Sequence, residues 1–130
     1  MKTLLLLLSA AYGWADETAD LKAVERKWAT RFYMEDWKVS LRVATNEELE
    51  RLCGEPCVAA SRFRLVDKTG EILILCGKCY TKHQRDWARS QGRSVRKDQR
   101  DSVVHELLHA IWGLMREEAA IRMLTDLLKP

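Results

Sequence analysis

The chain has 130 residues, 47% hydrophobic and 32% charged. That fits one domain and excludes frames such as the eight-fold βα barrel, which needs about 200 residues or more. Apolar residues run along its whole length, which argues against disorder, and 22 Lys+Arg against 19 Asp+Glu leave only +3, too little for a nucleic-acid or membrane field.

In chain order, Met1 to Ala15 reads first as an export signal. Lys2 precedes the apolar run Leu4 to Leu8, and the small residues Gly13 and Ala15 stand before Asp16 and Glu17. The run is shorter than the roughly 20 residues that span a bilayer, and no later stretch is longer. The expectation is a signal peptide over 1–15 cut near Ala15, then a single domain over 16–130, secreted or periplasmic and without a membrane span. A buried N-terminal helix is the alternative reading of the same residues.

Leu21, Val24, Trp28 and Phe32 recur on one helical face, so 17–34 is a predicted helix. The period then switches: Trp37, Val39, Leu41 and Val43 alternate with polar residues, a half-buried strand over 36–44. Thr45 to Glu48 has the form of a capping box, opening a short helix with Leu49 and Leu52 that stops near Gly54 and Pro56. A second strand follows over 57–66, with Ala59, Ser61, Phe63 and Leu65 on one face. Asp67 to Gly70 is turn chemistry, and Glu71 to Cys76 is a more fully buried strand, making an antiparallel hairpin.

Cys53, Cys57, Cys76 and Cys79 allow either a four-cysteine zinc site or disulfides, and export favours disulfides. The hairpin as placed brings residue 57 opposite 79 and 80, so Cys57 to Cys79 with Cys53 to Cys76 is one pairing. The two local pairings, C-x3-C and C-x2-C, stay open. A thioredoxin-like redox role for Cys76 to Cys79 lacks the surrounding βαβ context. Residues 82–100 are polar and basic and read as a solvated, partly helical connector. A helix over about 98–112 should end at Gly113, and a last one should run over about 117–128.

His105-Glu106-Leu107-Leu108-His109 is H-E-x-x-H on a predicted helix, and it holds two of the three histidines in the chain. Residues four apart share a helix face, so both imidazoles can reach one ion, with Glu106 placed beside it as general base. Zinc suits such nitrogen ligands. A third ligand is expected from the next helix. Glu117 falls within the stripe of Ala120, Ile121, Leu124, Leu127 and Leu128, where a carboxylate needs a partner or a metal. Glu118, a quarter-turn away, is the alternative, and His83 is a further candidate.

These residues resemble a zincin metallopeptidase. His105, Glu106 and His109 followed by Glu117 are similar to the gluzincin pattern, and the order of elements is similar to the single-domain minigluzincins. The resemblance implies an α/β (α+β) fold: a small three-stranded, mainly antiparallel sheet on an N-terminal helix, the H-E-x-x-H helix and a C-terminal glutamate helix. It implies Zn2+ held by His105, His109 and Glu117, water activated by Glu106, and a peptide or protein substrate pairing along the strand Glu71 to Cys76. Only seven residues separate His109 from Glu117, and no third histidine follows Gly113, which excludes the metzincins. The subdomain that stabilises the transition state in larger members has no counterpart, leaving Tyr80, Arg116 and His83 as candidate oxyanion donors. The expectation is a monomeric, secreted zinc metallopeptidase, with an inhibitor or partner protein left open and no nucleic-acid partner. The alternative is a non-catalytic module, stabilised by zinc or disulfides, that meets a partner through 82–100.

Overall fold

The computed structural model describes residues 2–111 and 118–128, and the side chains of 14–111 and 121–128. The architecture is α+β: five helices and an open three-stranded sheet among the described residues. Helix α1 runs over Lys2–Arg31, unbroken through Ala15 and thus longer than the predicted 17–34. It ends because Tyr33 turns left-handed (φ 57°), letting the Tyr33 and Met34 N–H groups donate to the carbonyls of Thr30 and Ala29. That is a Schellman cap built on a non-glycine residue.

Strand β1 (Lys38–Ala44) keeps the expected alternation, burying Leu41 and Val43 and exposing Lys38, Ser40 and Arg42. Thr45 then caps α2 (Asn46–Cys53) by accepting from the Glu48 N–H at 3.3 Å, while the Glu48 carboxylate is held chiefly by Arg42 at 2.8 Å. Gly54, with φ 76°, closes α2 as expected.

Strands β2 (Ala59–Arg64) and β3 (Thr69–Leu75) form the antiparallel hairpin. The loop between them is 65–68 rather than 67–70, because Thr69 and Gly70 belong to β3. Gly70 has no side chain, and the Phe63 ring lies where its β-carbon would be. The displaced turn changes the register: Ala59 faces Ile74, and carried outward this sets Cys57 against Cys76, not against 79 and 80. The cross-strand pairing therefore gives way to two local disulfides, Cys53–Cys57 and Cys76–Cys79. They take up all four cysteines, leaving no thiolate for a four-cysteine zinc site.

The sheet order is β1-β3-β2, with β1 parallel to β3, so one pairing is parallel and one antiparallel instead of a mainly antiparallel sheet. Strand β3 is central and pairs on both sides. It is not the edge that Glu71 to Cys76 was expected to offer; that position belongs to β2 and β1. Being covered on both faces explains its continuous apolar run. Ile72 and Ile74 join Leu41, Val43 and α1 in the main core, while Leu73 and Leu75 join Ala44, Leu49 and Tyr80 beneath.

The basic segment is more regular than a connector. Cys76 leads into a 3-10 turn (Gly77–Cys79), and α3 (Lys82–Ser90) opens on a full capping box between Thr81 and Gln84. Ser94 then caps α4 (Val95–Ile111), accepting from the Lys97 N–H at 3.2 Å, so this helix starts three residues earlier than its apolar pattern suggests. Helix α5 (Glu118–Leu128) packs on α4 through buried Ile121 and half-buried Leu124. The expected helix stop at Gly113 lies outside the described residues. No helix among the described residues is long and apolar enough to cross a membrane.

Candidate active site

Helix α4 lies on the sheet and against α1, and it makes contacts with β2, β3 and α5 as well. Val103, Val104, Leu107, Leu108 and Ala110 face inward and are fully buried or nearly so. Helical period then leaves His105 and His109 half-buried on a shared face. Their Nε2 atoms are 3.2 Å apart, with the rings edge to face at 4.9 Å between centroids. Two nitrogens bound about 2.0–2.1 Å from one tetrahedral zinc stand about 3.3 Å apart. The separation matches that of two ligands on one ion, and it is also hydrogen-bond distance between the two rings.

Glu106 is 94% withdrawn from solvent, at 6% exposure. Its Oε2 accepts a hydrogen bond from Ser61 Oγ on β2 at 2.5 Å. A buried carboxylate needs such a donor. Ser61 is the site residue that motif reasoning passes over. Its signal in the sequence is a single hydroxyl in the otherwise apolar row Ala59, Ser61, Phe63.

The described residues bring together two histidines, the glutamate between them and one serine. Glu117 lies outside the described residues. Glu118 begins α5, but its side chain is outside them too. Among the described residues no group of three or more His, Cys, Asp and Glu side chains is placed to hold an ion.

Of the candidate oxyanion donors, Tyr80 is buried, and its hydroxyl donates to Asp98 at 2.6 Å. Burial and the Asp98 charge raise its pKa well above the ordinary phenol value. Asp98 stands two turns before His105, about 10 Å along the helix, so the Tyr80 proton is committed elsewhere. His83 is exposed on α3, and Arg116 lies outside the described residues.

An apolar pocket of about 370 Å³ includes Phe32, Leu108, Ile111, Leu124 and Leu127 in its lining, but none of His105, Glu106 and His109. It belongs to the α1–α4–α5 junction. Glu106 lies toward β2 instead, where it meets Ser61.

In the C-x2-C loop the first sulfur is the deeper one, Cys76 being 1% exposed and Cys79 half-buried. A disulfide exchanger presents an accessible thiolate at a helix start. This pair reads as a staple. Compared with protein families, characterised proteins and solved structures, the chain matches none.

Proposed function

We propose that the protein is a secreted zinc metallopeptidase of the H-E-x-x-H type. The observation that supports this most is the convergence of the two Nε2 atoms, 3.2 Å apart, beside a buried glutamate on the same helix. His105 and His109 would hold the ion, with Glu117 or Glu118 as the third ligand. When bound, zinc supplies Lewis-acid polarisation and lowers the pKa of a water toward about 7. Glu106 takes up the water's proton and delivers it to the departing amine. A structural zinc site has no use for a base in that position.

The edge strand next to the site is β2, so an extended peptide would pair by main-chain hydrogen bonds along Ala59–Arg64. Export over the signal at 1–15 accounts for cysteines that are all oxidised.

The test is zinc content and peptide hydrolysis by the disulfide-bonded protein and its Glu106→Gln variant. Both should bind one zinc, and the variant should cleave about 100- to 10,000-fold more slowly. An oxidised protein that takes up no metal would end this reading. Zinc bound without cleavage across a broad peptide library would leave only a binding module.

A further inference from the structure

Ser61 reaches Glu106 from a different element, and the geometry points to a role for it that no motif carries. We propose that Ser61 is a positioning residue: its hydroxyl fixes the Glu106 carboxylate and couples the general base to the edge strand that receives substrate. The inference rests on the reading of Glu106 as the base.

Three observations support it. The row Ala59, Ser61, Phe63 faces the core, and Ala59 and Phe63 pack against the main cluster. Ser61 is half-buried in that row, and its hydroxyl proton goes to Glu106 Oε2 at 2.5 Å. Ser61 is also anchored. It stands opposite fully buried Ile72 in the hairpin register, so its Oγ is carried on paired backbone and not on a loop. Finally, the bond joins β2 to α4 across 45 residues of sequence and ends on the residue between the two histidines.

A glutamate side chain has several rotatable bonds, and a base must lie within hydrogen-bond reach of the proton it takes. A misplacement of about 1 Å costs on the order of 100-fold in rate. A bond from a paired strand narrows the arrangements open to the carboxylate. Because β2 is also the edge strand, peptide docking and base alignment share the same anchor. No bond is made or broken at Ser61, and its proton stays on Oγ.

The experiment compares the zinc-loaded parent with Ser61→Ala and Ser61→Thr on a peptide the parent cleaves. In Ser61→Ala, kcat should fall about 10- to 100-fold while KM and zinc content stay near the parent's. Ser61→Thr returns a hydroxyl at the same strand position and should restore most of the kcat. A second readout needs no activity. In the metal-free proteins, the NMR shift difference between the two diastereotopic Glu106 γ-methylene protons should be wide in the parent and Ser61→Thr and should narrow in Ser61→Ala.

An unchanged kcat in Ser61→Ala, with or without lost thermal stability, makes Ser61 a packing group and overturns the inference. So does a Ser61→Thr variant as slow as Ser61→Ala. A parent that cleaves no peptide removes the peptidase reading and this inference together, whereas an active parent beside an unaffected Ser61→Ala removes this inference alone.

Discussion

Glu25 lies on the inward face of α1 in the stripe that also carries Leu21, Trp28 and Ala29, and it is 8% exposed. Burial raises its carboxyl pKa above the ordinary value of 4.5, and neighbouring Arg26 offsets this only in part. A raised folded pKa means that the folded state binds the proton more tightly than the unfolded chain does. The favourable contribution is therefore complete below the unfolded pKa and lost as pH rises through the folded one. At neutral pH the ionised group is a net cost. Glu25→Gln should stabilise the protein at pH about 7 by on the order of 0.5 kcal/mol, and the gain should vanish near pH 4, where the parent's carboxyl is itself protonated. Urea unfolding of both proteins at the two pH values measures the difference, in which the other carboxylates cancel. An equal gain at both pH values would show that charge is not the cause. At this scale the sequence is informative about the motif and silent about its setting. His105, Glu106 and His109 are named by spacing alone, whereas Ser61 meets Glu106 only because a hairpin register decides which β2 side chain faces α4.

Between elements, one polar contact that ties down α4 joins buried Tyr80 and Asp98 to half-buried Arg93. Tyr80 Oη donates to one oxygen of Asp98 at 2.6 Å, and Arg93 Nε donates to the other at 3.0 Å. The three tie the end of the C-x2-C loop to the start of the helix that carries both histidines. Tyr80→Phe keeps the ring in the lower core but leaves one buried carboxylate oxygen short of a donor, which should cost about 1–3 kcal/mol. Chemical denaturation checks this, with zinc content expected to stay at the parent's value because the histidines lie two turns further on. A loss below 0.5 kcal/mol would mean that water replaces the phenol, as is roughly the limit for surface changes. The elements themselves were largely legible. Alternation marks β1, unbroken apolar character marks β3, and the periodic stripe Leu21, Val24, Trp28 and Phe32 marks α1. Strand order was not, because the parallel β1–β3 pairing depends on how α2 returns the chain and leaves no local trace. The error of two residues in the hairpin turn came from Thr69-Gly70, which looks like turn chemistry but serves Phe63 packing. The same two-residue shift sets Cys57 opposite Cys76, so the cysteines pair locally.

For the molecule as a whole, the core is built apart from the proposed ion site. Both sheet faces are covered by buried apolar clusters, and the two disulfides close only short loops, with sequence separations of 4 and 3. A core of this kind is expected to fold without a metal, unlike a zinc finger. His105 and His109 sit on a helix fixed by the buried Val103, Val104, Leu107 and Leu108, so the packing that sets their spacing is apolar. A ligand that binds only the folded state adds RT ln(1 + [L]/Kd), about 4 kcal/mol at a thousandfold excess over Kd. Chelator-stripped protein should accordingly remain folded, with its near-ultraviolet circular dichroism intact, and its Tm should rise as zinc is added back. His105→Ala and His109→Ala should each remove most of that rise while leaving the metal-free Tm within a few degrees, since both rings are only half-buried. Thermal scans over a zinc series provide the measurement. A Tm that is indifferent to zinc, or a rise that survives both substitutions, would place the metal away from the motif and undo the site assignment. Unfolding on chelation would instead show that the core is insufficient without the ion and that its role is structural.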